Sequence, residues 1–239
     1  MSLLWIILFT FGILQTTVFS TTIYLHRTLT HRAMELHPAV SFLMHLHSIL
    51  FACLSPRQLV AVHRKHHQFS DKEGDPHSPY LVGLWRIMLG NFFYYRREAA
   101  NPATVRKYTP DYRPDLLDRL PNPTYGLLGG FVIFMLLFGP LWGTVAMAVH
   151  AVAYVVLSAA INGLCHQVGY RNFDNTATNL QWVAFLTGGE GLHNNHHEFP
   201  TSARFSLQRR ELDPAWPVIR LLERLGLAKV KRLPVALAA

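Results

Sequence analysis

The sequence predicts an all-α integral membrane protein: about three transmembrane helices, an interfacial apolar segment and a helical cytoplasmic cap, in a single domain over residues 1–239. Three observations predict it. Half of the residues are hydrophobic and only 15% are charged, a balance too apolar for an ordinary soluble domain. Two long stretches, residues 1–25 and 125–165, carry no charged side chain at all. All 22 lysines and arginines fall outside those stretches.

Residues 1–25 would reach roughly 37 Å as a helix, enough to cross the hydrocarbon core with some tilt. A cleaved signal peptide would show a basic start and a small-x-small cleavage site, and this stretch has neither. The apolar segment at about 38–55 is different. It ends in "CLSPRQ" and lies between His31 and His63. If the histidines on its two flanks are to meet, it cannot cross once, and it is too short to cross twice. It is expected to lie along the membrane surface or dip into it. Residues 80–98, apolar and aromatic with a basic end, read as an interfacial helix. Residues 101–123 hold five of the 14 prolines and read as a loop. The second uncharged stretch is interrupted near Gly139-Pro140 and Gly143, which fits a hairpin of two spans, 125–144 and 146–165. Residues 213–226 read as a helix with Asp213 as N-cap, Pro214 at the first position and Gly226 as the stop.

The cap is then 26–124 and 166–239. With three spans every basic residue lies on one side, which the positive-inside rule makes cytoplasmic, with the N-terminus outside. The formal charge of +8 is a one-sided basic face suited to topology and lipid headgroups, with room for an acidic protein partner. No nucleic-acid partner is expected. Cys53 and Cys165 form no C-x-x-C motif and read as small buried residues.

Fourteen histidines are the chemical signal. His26 and His31 lie at the cytoplasmic end of the first span, in "HRTLTH". His63, His66 and His67 share one helical face at i, i+3 and i+4, as do His193, His196 and His197. Asn162 and His166, four apart, close the third span. These nine histidines fall on one membrane side at about one depth. A single zinc takes three or four ligands and leaves most of them unused. Two first-row metal ions with four or five ligands each would use the set, and a redox pair with open positions favours iron. His37, His45, His47, His77 and His150 lack a partner at ligand spacing and are not expected to bind metal. Arg27 and Arg64 are expected to contact carboxylates or headgroups.

The boxes "HRTLTH", "HRKHH" and "HNNHH", with "DPHSP", "NGLCH", "GYRNFD" and "GEGLHNNHHEFP", resemble the membrane fatty acid desaturases, most closely the acyl-CoA desaturase (stearoyl-CoA desaturase-like) branch. The resemblance covers about residues 15–200. It implies a non-heme di-iron centre on His26, His31, His63, His66, His67, His166, His193, His196 and His197, with Asn162 holding a metal-bound water. It also implies O2-dependent formation of a cis double bond, at delta-9, in a saturated acyl chain. Eukaryotic members have a further helix before the first box, and members that bind CoA place Arg-Asp before the second, where this chain has Ala61-Val62. The acyl carrier, whether CoA, acyl carrier protein or intact lipid, therefore stays open. The chain has no flavin, heme-attachment or iron-sulfur motif, so an external electron donor such as a ferredoxin or a cytochrome b5-type protein is expected. Trp85, Phe92, Phe93 and Tyr94 are candidates for the walls of an acyl tunnel. The expected location is a bacterial cytoplasmic membrane, multi-pass, with the site on the cytoplasmic side. A related di-iron hydroxylase or decarboxylase remains an alternative. A histidine-rich metal transporter would place ionisable groups through the bilayer midplane, which the uncharged spans do not.

Overall fold

The computed structural model describes residues 2–120 and 124–234. Met1, residues 121–123 and residues 235–239, at the ends of the first expected span, the proline-rich loop and the cap, lie outside the described residues. Helix α1 (Leu3–Phe19) runs without a break into a π-helical segment, Ser20–Thr30. Over an 18-residue window the combined rod has a mean hydropathy of 1.9, and it is long and apolar enough to cross a membrane. Its outer side is bare: Leu4, Ile7, Leu8 and Phe11 are all more than half exposed, which suits a lipid-facing surface.

Strand β1 (Met34–Leu36) leads to α2 (Pro38–Ala52) and α3 (Pro56–Phe69), each opened by a proline whose missing N–H has no partner to lose in a first turn. The α2 and α3 axes meet at 84°. Cys53 takes the bend in a left-handed conformation, φ 54°. Because α3 turns away from the line of α2, its histidines come back to the π-helical segment. After α4 (Pro79–Val82), α5 (Leu84–Ala99) covers the region read as an interfacial helix, and α6 (Pro102–Tyr108) follows.

Helix α7 spans Thr124–Asn162, but it is not one rod. The rings of Phe134 and His150 are 6.3 Å apart, whereas sixteen residues of straight helix would separate them by about 24 Å. The chain reverses at Gly139-Pro140, where Gly139 has φ 78° and ψ 166°, earlier than the 144/146 boundary expected from hydropathy. The two arms lie side by side, and Phe134, Phe138, Ala146 and Met147 share a core cluster with Ile6 of α1 and Phe51 of α2. A Cβ on Gly143 would sit 2.6 Å from the Met135 Cα, so the arms touch backbone to backbone there.

Three further helices, α8 (Gln181–Leu186), α9 (His193–Glu198) and α10 (Ala215–Arg224), and strand β2 (Ala228–Val230) complete the cap. The protein is mostly helical. The exception is a small antiparallel ribbon in which Met34 of β1 faces Val230 of β2, an element the sequence did not announce. It ties the C-terminal segment to the end of the first rod, where Ala215 and Ile219 pack with Ile23, Ala33 and Met34. The helix expected to begin at Pro214 begins one residue later, with Pro214 at the cap position, and Asp213 does not cap it through its side chain. That carboxylate is instead buried against Arg27, 2.8 Å away.

Substituting Gly143 by valine should pry the two arms apart, at a cost of about 1–3 kcal/mol for an overpacked contact. The expected result is a lower melting temperature and less monodisperse protein in detergent. An unchanged melting profile would mean that the arms do not meet at this residue.

Candidate metal centre

The first box owes its geometry to the π-helix. In an α-helix, residues five apart point about 140° away from each other. A π-helix bonds i to i+5 and brings them onto one face. The His31 N–H donates to the His26 carbonyl at 3.0 Å, and the Thr28 and Thr30 hydroxyls donate to carbonyls five residues back, on Ile23 and Leu25. His26 and His31 thus project together. Ordinary α-helical spacing does the same for His63, His66 and His67 on α3 and for His193, His196 and His197 on α9. His166 enters from the turn that follows α7.

All nine converge, and they do so as two groups. His26, His31, His63, His67 and His196 form one; His66, His166, His193 and His197 form the other. In the first group Nε2 of His63 lies 2.8 Å from Nε2 of His26 and 3.0 Å from Nε2 of His67. Nε2 of His67 is 2.9 Å from Nε2 of His196, and that of His31 is 3.1 Å from that of His26. In the second group Nε2 of His197 is 3.3 Å from His66 and 3.1 Å from His193. The His166 ring stands 4.9 Å from His193 and 5.1 Å from His197.

Three buried carboxylates fix which nitrogen carries the proton. Nδ1 of His26 donates to Glu190 at 2.8 Å, Nδ1 of His66 to Asp75 at 3.0 Å, and Nδ1 of His166 to Asp71 at 2.7 Å. With Nδ1 as the donor, Nε2 is the nitrogen of each ring that is aimed inward and offers the ligand lone pair. Nε2 of His166 has no hydrogen-bond partner among the described residues. Burial, followed by the neighbouring imidazoles, holds His193, His196 and His197 well below the usual histidine range, so these rings are neutral as well. Lone pairs facing one another at about 3 Å repel unless a cation lies between them. Metal-to-nitrogen bonds of about 2.1 Å at angles of 90–109° give nitrogen pairs about 3.0–3.4 Å apart, which is the spacing seen. The donor set fits two metal ions, one with five imidazoles available and one with four.

The carboxylates themselves were not singled out in the sequence. Glu190 sits in "GGEG" because its neighbours cannot bear side chains: Gly189 has φ 101°, and a Cβ there would meet Arg27 Nη2 at 2.8 Å. The Glu190 carboxylate also receives the Thr22 hydroxyl. Asp75 and Asp71 follow the second box in "SDKEGDPH", and Asp71 reaches across to His166. Arg27 and Arg64 do meet carboxylates, Asp213 at 2.8 Å and Asp111 at 2.6 Å. His77 stays outside both groups, but it is less isolated than its spacing suggested. Its ring centroid is 4.8 Å from that of His66, with both ring nitrogens unpartnered. His45 pairs with Asp115 at 2.7 Å and belongs to neither group of the nine.

A cavity of about 190 Å³ opens beside the first group and is lined by His26, His63, Glu190 and a largely apolar wall from α1, α3, α5 and the second arm of α7. Asn162 lies on that wall and donates to Asn91 at 3.1 Å. Of the four aromatic wall candidates, Phe92 lines the cavity. Trp85, Phe93 and Tyr94 do not. They border a shallow outer groove of α5, and Trp85 and Phe93 are 74% and 71% exposed.

Comparison with known proteins places this architecture. The sequence model of the fatty acid desaturase family matches residues 2–224. The chain is 34% identical to delta-9 acyl-lipid desaturase 2 of Arabidopsis thaliana, over 89% of this chain and 70% of that one. It is 34% identical to the sn-1 stearoyl-lipid 9-desaturase of Anabaena variabilis, over 87% and 76%. It is 33% identical to an acyl-CoA 5-desaturase of Anemone leveillei, over 91% and 68%.

Two outcomes are expected of the centre. Asp75→Asn should lower metal affinity about 10–100-fold by freeing the His66 ring to turn, measured as metal retained per chain after titration with a chelator. The metal-free protein should lose stability as pH falls below about 6.5, because the unfolded histidines take up protons that the buried ones refuse. Each such histidine adds a slope of about 1.4 kcal/mol per pH unit, to be read from acid unfolding curves.

Proposed function

Because this chain belongs to the fatty acid desaturase family, we propose that it is an O2-dependent fatty acyl desaturase that introduces a cis double bond, at delta-9, with two iron ions on its nine clustered histidines. The chain is thereby an oxidoreductase and a membrane protein. The observation that carries the di-iron reading is the convergence of nine imidazoles into a group of five and a group of four. Asn162, on the cavity wall, would hold a metal-bound water. The delta-9 position follows the names of two of the relatives described above.

The chemistry explains the layout. An alkyl chain offers no group for an acid or base to grip, so selectivity has to come from position. The cavity supplies it: Val18, Leu59, Val62, Val155 and Ile161 give an apolar wall that leads to His26 and His63. When bound, iron supplies the power to oxidise an unactivated C–H bond. Removing two hydrogens while O2 leaves as two waters consumes two further electrons and two protons; an external carrier docked on the basic face would deliver the electrons, and solvent the protons. Three crossings are proposed, by α1 with its π-helical end and by the two arms of α7. The centre would then face the cytoplasm, in a bacterial cytoplasmic membrane, with the cap and its basic residues.

Expression in a desaturase-deficient host, followed by gas chromatography and mass spectrometry of derivatised lipids, tests this reading. A new cis-monoene should appear with the wild-type chain and vanish with His66→Ala. A hydroxylated or shortened product in its place would transfer the site to another oxidation.

A further inference from the structure

Nearly every side chain around the cavity is buried or half-buried. The two exposed ones, Phe92 and Arg96, lie on the same helix, α5, and mark where the cavity opens. Arg96 is the one lysine or arginine on the lining. It has no hydrogen-bond or ion-pair partner among the described residues. Beside it, the hydroxyl of Tyr95 is buried on the same cavity and also lacks a partner. An exposed cation at the opening and a buried hydroxyl further in, both unsatisfied among the described residues, thus line a largely apolar cavity that also reaches His26 and His63.

The outer face of α5 says what lies in front of that mouth. Trp85, Leu89 and Phe93, at i, i+4 and i+8, are 74%, 82% and 71% exposed. Holding three such side chains in water is unfavourable, and the acyl boundary of a bilayer removes that cost. Arg86, Arg96 and Arg97 on the same helix can reach the headgroup layer from there. The mouth therefore faces the lipid surface.

Resting on the desaturase reading, we infer that the substrate enters sideways from the bilayer as an intact phospholipid, its phosphodiester held by Arg96 and its ester carbonyl by the Tyr95 hydroxyl. The guanidinium provides charge-assisted hydrogen bonds to phosphate oxygens. The phenol donates to the ester at the top of the chain, and the chain continues past Phe92 and Asn91 toward His26 and His63.

The test is binding, read without turnover. Purified wild-type, Arg96→Gln, Arg96→Lys and Tyr95→Phe proteins are delipidated and titrated in detergent with distearoyl phosphatidylglycerol, its ether-linked analogue, a neutral distearoyl galactolipid and stearoyl-CoA, with native mass spectrometry as readout. Arg96→Gln should weaken phosphatidylglycerol about tenfold and leave the galactolipid unchanged, and Arg96→Lys should restore most of the loss. Tyr95→Phe should weaken the ester lipid several-fold and not its ether analogue. Unchanged phosphatidylglycerol affinity in Arg96→Gln, or tighter wild-type binding of stearoyl-CoA than of the phospholipid, overturns the inference. Monoene formed in cells at wild-type rate by Arg96→Gln overturns it and leaves desaturation standing. Arg96-dependent phospholipid binding without any unsaturated product does the reverse.

Discussion

The constraint on which the structure depends is the burial of nine imidazoles whose ring nitrogens converge on two points. In a low-dielectric interior lone pairs that face one another repel, and a ring free to turn would relieve this by trading hydrogen bonds. Three of the rings are held against turning. Glu190, Asp75 and Asp71 each hold an Nδ1–H, which commits the opposite nitrogen to the centre. The carboxylates are buried too, and each is kept in place by further donors: Thr22 on Glu190, the Asp71 and His77 backbone N–H groups on Asp75, Ser78 on Asp71. The centre is thereby tied, through its carboxylates, to the backbone around it.

That rigid backbone comes from the membrane helices. The first rod carries His26 and His31 at its end, α7 delivers Asn162 and His166, and the bent α2–α3 pair brings its three histidines back to the same side. The apolar rods need no polar contacts of their own with lipid, since their backbone groups are satisfied within each helix. Their ends are therefore free to hold the polar centre in a fixed frame.

Much of this was legible in the sequence, for a physical reason: helical periodicity is local. The i, i+3, i+4 clusters on α3 and α9 could be read directly, and so could the uncharged rods and the hairpin break at Gly139-Pro140. The five-residue spacing of His26 and His31 could not, because only a π-helix makes it a shared face. The threonines at 28 and 30 that bond five residues back were the available hint. The carboxylate partners were hidden by distance along the chain, 164 residues for His26 and Glu190 and 95 for His166 and Asp71. The aromatic wall was legible only in part. Phe92 borders the cavity at its opening, whereas Trp85 and Phe93 border the outer groove, although all three belong to one aromatic run.

The buried pair of Arg27 and Asp213 shows how the last box is set. Two opposite charges with side chains 0% and 1% exposed are costly, and an apolar pair of similar volume would serve stability as well. The pair does something that apolar contacts cannot. The Asp213 carboxylate also receives the Phe205 N–H, while Arg27 lies 3.9 Å over the Phe205 ring and donates to the Gly188 carbonyl. One directional network thus ties the first box, the glycine turn before the third box and the segment after it. Phe205 in turn touches the rings of His26 and His196. Hydrophobic burial alone would permit these segments to slide. Hydrogen bonds with fixed directions do not, and a centre built from lone pairs about 3 Å apart tolerates little sliding.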